Sequence, residues 1–261
     1  MAIGLVIVGD EILSGKRTDK HLSKVIELLA ARGLQLDWSM IIGDDPERIT
    51  ATLRTTFASG DIVFCCGGIG ATPDDHTRQC AAAALGVDLA LHPEAKTLIW
   101  QRITETAKAA GQQLDLTTPD NLHRLKMGEF PVGAAIIPNA YNLIPGFSVG
   151  THYFVPGFPV MAEPMVTWVL DTHYAHLFHQ HQRDEKSVLV FEIAESLLTP
   201  LMEQLEAAFP LIKVFSLPSV GNHQIRRHIE LGVKGTPAQV EAAFTVLQAE
   251  LDKFNAEYVP A

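Results

Sequence analysis

The sequence predicts an α/β protein, a doubly wound and mostly parallel sheet followed by a small α+β domain. Three observations predict it. Apolar runs of strand length alternate with helix-periodic segments at short spacing from residue 3 to residue 86, the β-α-β-α-β-α order of a doubly wound sheet. Glycine and aspartate gather where those runs end, as in "CCGGIGATPDDHT" at 65–77. After a polar stretch, "HQHQRDEKS" at 179–187, the order changes to β-α-β-β-α, which fits an open-faced α+β unit. The expected domains are therefore 1–180 and 185–261.

The elements follow in order. "IGLVIV" at 3–8 is a strand. In "TDKHLSKVIELLAARG" residues Leu22, Val25, Ile26, Leu29 and Ala30 recur at helical spacing and Gly33 stops the helix. "LQLDWSMII" is a second strand. "DDPERITATLRTTFASG" is a helix with Asp45 as N-cap and Pro46 in its first position. "DIVFCC" is a third strand, and "DDHTRQCAAAALG" its following helix, with Asp74 as a plausible cap. Residues 93–111 and 118–127 read as helices, "GAAIIPN" and "THYFVPG" as strands, and 159–178 as a helix that closes the domain. In the second domain "SVLVFEI", "LIKVFSLPS" and "IRRHIELGVKG" are strands, and 195–209 and 236–254 are helices.

Composition excludes some classes. A formal net charge of −10 argues against a nucleic-acid binder, which needs a basic stripe. It leaves room for a small phosphate held by backbone amides. There is no apolar run long enough for a membrane span. The N-terminal apolar stretch has no basic flank and breaks at Gly9 and Asp10, so it reads as a first strand rather than a signal peptide. Cys65, Cys66 and Cys80 are odd in number and lack metal-type spacing. They read as reduced, partly buried thiols of a cytoplasmic protein.

The glycine turn has a physical reading. Ligands of a doubly wound sheet bind at the carboxyl ends of its strands. Gly67, Gly68 and Gly70 can bring backbone amides close to a ligand, and the following helix offers a positive dipole end that suits phosphate. Asp10 follows the first strand, Asp44 and Asp45 the second, and Asp74 and Asp75 the third. Each can cap a helix, or they can line one crevice. Carboxylates beside a phosphate repel it unless a divalent cation lies between, so the cluster points to Mg²⁺ or a similar hard metal. His173, His176, His179 and His181 admit either a zinc or cobalt site or a solvated helix end. Trp38, Trp100 and Trp168 lie in apolar-periodic segments and read as core or interface.

"GDEILSG", "GDDPERI" and "GGIGATPDDHT" resemble the molybdopterin-binding (MoaB/Mog-like) domain. "IIPNAYNLIPGF" and "FVPGFPVMAEPM" bring the resemblance closest to its CinA-type branch, the competence/damage-inducible protein A family. The likeness covers residues 2 to about 170 and continues more loosely to the end. No counterpart of that branch's amidohydrolase domain follows, so nicotinamide-nucleotide deamidation is not expected. The resemblance implies chemistry on a phosphate or pyrophosphate next to a flat heterocycle. It implies a metal-dependent nucleotide pyrophosphatase acting on ADP-ribose or a similar compound, with Mg²⁺, Mn²⁺ or Co²⁺. The alternatives are a non-catalytic binder of molybdopterin or a nucleotide, and a pterin adenylyltransferase.

By motif match Asp75 takes the essential aspartate's place and Asp45 that of a second acidic residue; both become catalytic candidates. Asp10, Asp45 and Asp75 are the metal candidates. Gly9, Asp10, Glu11, Ser14 and Asp19 are ligand-side candidates near the first strand. Gly67, Gly68, Gly70, Thr72, Asp74 and Thr77 are those of the glycine loop. Asn139, Pro145, Gly146, Gly157 and Pro159 are those of the later pair of loops. The sequence departs from the family at Ala71, where proline is usual, and at "TDKH", where Thr-Asn is common. The relatives form oligomers, and "PVMAEPMVTWVL" is an apolar helix, so a homodimer or larger homo-oligomer is expected.

Overall fold

The computed structural model describes residues 2–111, 113–180, 184–222 and 225–261. The chain forms two compact units, 1–178 and 179–261.

The first unit opens with β1 (Ile3–Val8), buried along its whole length. A short turn of helix, α1 (Asp10–Leu13), and α2 (His21–Ala30) lead to β2 (Trp38–Ile42). Then come α3 (Pro46–Ser59), β3 (Ile62–Cys66) and α4 (Thr77–Leu85). β4 (Leu89–Leu91) precedes a helical arm made of α5 (Pro93–Ala109) and α6 (Pro119–Leu125), which returns through β5 (Glu129–Pro131). β6 (Ala135–Ile137), β7 (Gly146–Val149), β8 (His152–Val155) and α7 (Pro159–His173) complete the unit. The main sheet has the order β2-β1-β3-β8-β7-β6. The first four strands are parallel and β7 runs against β8 and β6. The carboxyl ends of β1, β2, β3, β8 and β6 therefore share one edge.

Successive residues of a strand face opposite sides, which divides the core. Leu5, Ile7, Phe64 and Cys66 pack with α2 and α7 on one side. Val6, Val8, Val63, Cys65 and Phe154 pack with α3 and α4 on the other. All three cysteines are buried free thiols, and burial pushes Cys65 up to about 12. The apolar residues of α7, from Ala162 to Leu170, belong to this core. They are thus accounted for without a second copy of the chain.

The second unit is β9 (Asp184–Phe191), α8 (Glu195–Ala208), β10 (Ile212–Ser219), β11 (His228–Gly235), α9 (Pro237–Lys253) and β12 (Tyr258–Pro260). Its antiparallel sheet runs β10-β11-β9-β12 over a separate core.

Several expectations need correction. α4 begins at Thr77 with His76, not Asp74, at its N-cap position. β9 begins at Asp184, inside the stretch read as a linker; residues 181–183 lie outside the described residues, and His181 with them. β4, β5, β7 and β12 were not expected, because runs of three or four residues carry too little periodicity. The tryptophans pack: Trp38 lies so close over Gly4 that a β-carbon there would overlap its ring, and it donates to Asp61 at 3.1 Å. Trp100 packs beside Ile99 and Ile103, and Trp168 meets His173 edge-on. His173 also stacks on Tyr153. No group of three or more His, Cys, Asp or Glu able to hold a metal occurs among the described residues.

Candidate functional site

The glycine loop between β3 and α4 is fixed by its carbonyls. Gly67 and Gly68 have φ of 108° and 69°, a region open to glycine and strained for other residues. A β-carbon on Gly67 would stand 2.2 Å from the Val8 carbonyl oxygen, and one on Gly68 2.2 Å from Thr77 Oγ1. Thr77 is fully buried. Its hydroxyl donates to Gly67 O at 3.0 Å and its amide to Gly68 O at 2.9 Å. Arg78, 2% exposed, donates to Gly70 O at 2.6 Å and to the carbonyls of Lys126 and Glu129. His123 of α6 donates to Ala71 O at 2.7 Å.

The loop's carbonyls at 67, 68, 70 and 71 are thus tied back. The amides of Gly68, Ile69, Gly70 and Ala71 make no hydrogen bond among the described residues. Successive free N–H groups in a turn are the donors from which anion-binding nests are built.

Beside it the ends of β1 and β2 are stitched by two aspartates. The Asp10 amide donates to Asp44 at 2.8 Å, and the Asp44 amide donates to Asp10 at 3.2 Å. Gly43 must be glycine here, since a β-carbon would fall 2.3 Å from Asp10 Oδ1. Burial pushes the Asp44 carboxyl above its ordinary value. The carboxylates of Asp10, Glu11 and Asp74 push it the same way, against the hydrogen bond from the Asp10 amide. Asp74 belongs to the glycine loop, so the stitch and the loop lie within electrostatic reach of each other.

The other candidates are placed as follows. Asp45 accepts from the Arg48 amide at 2.7 Å and caps α3. Asp75 accepts from the amide and hydroxyl of Thr72, and its carboxylate lies against Gly70, where a β-carbon would be 2.5 Å away. Asp74 is exposed and is held below the usual carboxylate range by the Thr72 hydroxyl. Asp19 accepts from the amides of His21 and Leu22 at the start of α2. Asp10, Asp45 and Asp75 do not form one cation cage among the described residues; each of the three accepts a backbone amide.

Gly9 is buried and bonds to Ile42 O, Glu11 is half-buried, and Ser14 is exposed at the end of α1. Asn139 is buried, and its amide is fully engaged by Tyr141, Asn142 and Ile144. Pro145 and Gly146 are buried; a β-carbon on Gly146 would meet the Phe154 carbonyl at 2.3 Å. Gly157 accepts from His21 at 3.1 Å and Pro159 opens α7. Sequence reasoning placed Asp44 in the acidic cluster without making it a metal or catalytic candidate, and it missed Arg78 and His123. Asp44 was within reach: once Pro46 makes Asp45 the cap, its neighbour is the carboxylate left over.

Residues 4–176 match the family described as "Probable molybdopterin binding domain". The chain belongs to this molybdopterin-binding domain family. A CinA-like protein from Anaeromyxobacter sp. (strain K) is 33% identical over 175 residues, 65% of this chain and 40% of that protein. One from Desulforapulum autotrophicum is 29% identical over 223 residues, 82% of this chain and 50% of that protein. The latter match is longer than the first unit, so likeness to that relative reaches the second. The chain spans about half the length or less of these curated relatives. Among solved structures, the protein CinA of unknown function from Thermoplasma acidophilum superposes with a TM-score of 0.55 at 26% identity. That match covers 66% of this chain and 98% of the other.

Proposed function

We propose that the glycine loop holds the phosphate of a small phosphorylated heterocycle, and that the first unit hydrolyses the phosphoanhydride bond of a nucleotide diphosphate compound such as ADP-ribose. The observation that carries the reading is the run of four unpartnered amides beside the Asp10–Asp44 stitch. Amides attract a phosphate that the carboxylates repel, and a divalent cation reconciles the two. The donor set fits such an ion. Mg²⁺ keeps several waters and takes only one or two protein carboxylates with substrate phosphates, so an all-protein cage is not required. Asp10 and Asp44 would hold it, and when bound it supplies neutralisation of phosphate charge and a more acidic water. The chain's own part is to fix the phosphate on rigid amides and to keep the carboxylates in register.

A second reading, binding of molybdopterin or a nucleotide without turnover, is favoured by one observation. The Asp75 carboxylate is already engaged by Thr72. Incubation with ADP-ribose and Mg²⁺, Mn²⁺ or Co²⁺, followed by chromatography for AMP, tests the hydrolase. Metal-dependent AMP release that vanishes in Asp44→Asn supports it. Absence of AMP with retained nucleotide binding leaves the binder.

A further inference from the structure

Two large aromatic side chains stand exposed on loops at the strand-end edge that also carries the glycine loop. Phe158 is 55% exposed and Tyr141 is 61% exposed. Neither belongs to a core cluster of the first unit. Phe158 lies three residues beyond the end of β8, whose last residue, Val155, pairs with Cys66 at the end of β3, where the glycine loop begins. The contact is direct at the preceding residue: a β-carbon on Gly157 would stand 3.3 Å from Gly67 Cα. Tyr141 lies in the loop after β6, at the same edge of the sheet.

The two loops are tied to each other. Asn142 donates to Met161 Sδ at 3.3 Å, and the Met161 amide donates to Phe158 O at 2.9 Å. The Tyr141 loop is held harder than a surface connection needs. Asn139 is buried and makes three hydrogen bonds within it, while Leu143 sits at a φ of 62°. A leucine in that region is strained and persists only where its surroundings over-determine it, which happens most often at ligand sites. Yet the residue this framework presents, Tyr141, makes no hydrogen bond through its hydroxyl among the described residues. A rigid frame that displays an unoccupied ring suits a ligand with a flat face.

We propose that Tyr141 and Phe158 form an aromatic shelf that stacks the flat heterocycle of the ligand whose phosphate the glycine loop holds. The inference rests on the phosphate reading given above and adds the ring-binding half of the site. Stacking accepts any base with a π face, so the shelf selects for a heterocycle rather than for one base.

The test is calorimetric titration of the wild-type chain, Phe158→Ala, Tyr141→Ala and Phe158→Trp with ADP, GDP and inorganic pyrophosphate, all with Mg²⁺. Pyrophosphate has the anion and lacks the ring. Loss of one stacking partner should weaken ADP and GDP alike by about tenfold, within the range found when bases lose an aromatic partner. Pyrophosphate affinity should stay within about twofold, and Phe158→Trp should keep ADP binding. Unchanged ADP affinity in both alanine variants overturns the shelf, as does a parallel loss of pyrophosphate. So does a change of oligomeric state by light scattering with ADP binding intact, which would make the rings contacts between chains. Failure of the wild-type chain to bind pyrophosphate is a separate result: it removes the glycine-loop reading itself, and the shelf with it. Both rings are exposed, so the variants should fold, and a thermal melt confirms this.

Discussion

Gly68→Ala separates a glycine required by the loop from one that merely eases a turn. Gly68 and Gly60 both have positive φ, 69° and 75°. A β-carbon on Gly60 meets nothing within 4 Å, whereas one on Gly68 falls 2.2 Å from Thr77 Oγ1. Left-handed strain costs about 1–2 kcal/mol for alanine, partly offset by about 0.4–1 kcal/mol from a stiffer unfolded chain. Gly60→Ala should therefore cost about 1 kcal/mol. Gly68→Ala adds displacement of the buried Thr77 hydroxyl from Gly67 O, a loss of about 1–2 kcal/mol when an acceptor is left unpaired. The expected total is about 2–3 kcal/mol. Urea unfolding, read as the midpoint shift at constant slope, measures both variants. Pyrophosphate titration should show binding lost in Gly68→Ala and kept in Gly60→Ala. Equal stability losses, with binding retained in both, would refute the view that the carbonyl ties build the amide nest.

Other outcomes follow from individual groups. His152 is buried, bonded to Thr56 at 3.0 Å, and its pKa falls to about 4 chiefly through burial. A depressed histidine contributes stability present above about 6.5 and lost as pH falls toward about 4. This amounts to about 3 kcal/mol, and urea titrations of the wild type and His152→Gln across that window should show the slope only in the former. Asp44 has the opposite sign. Its raised pKa means the charged form is disfavoured in the folded state, so Asp44→Asn should gain stability at neutral pH, with the gain fading through the acidic carboxylate range. The same variant should lower ADP-ribose turnover about 10²-fold, while Asp45→Ala, a lost cap, costs about 1 kcal/mol and leaves turnover nearly intact. Asp75→Asn keeps an acceptor for Thr72 and should lower turnover less than Asp44→Asn; the reverse order in an AMP assay would return Asp75 to the catalytic place its motif match implies.

The fold was legible because its signals are local. β1 and β3 are unbroken apolar runs, α3 carries Asp45 before Pro46, and each of these is realised as read. β5 was not legible, since its pairing with β4 is set by contacts distant in sequence; β7 pairs locally with β8, but four residues carry too little periodicity to announce a strand. At the site, the glycines and the approximate place of the acids could be read, but the job of each carboxylate could not. Asp74 and Asp75 look alike as letters; only the turn that delays α4 to Thr77 shows one exposed and the other folded under Gly70. Arg78 gave no signal in "TRQCAAAAL", because its partners are backbone carbonyls, two of them about fifty positions away.

Those carbonyl ties also join two parts of the first unit that have no strand in common. Arg78 grips the loop at Gly70 and the return of the helical arm at Lys126 and Glu129, and His123 reaches back from the arm to Ala71. The arm is thus a second reporter of the loop's state. By thermodynamic reciprocity, whatever stiffens residues 67–76 must favour the docked arm, and loosening the arm must weaken the loop's hold on its ligand to the same degree. Amide hydrogen exchange in α6 becomes a readout of the loop's occupancy, and substitutions in the arm tune its affinity through these ties.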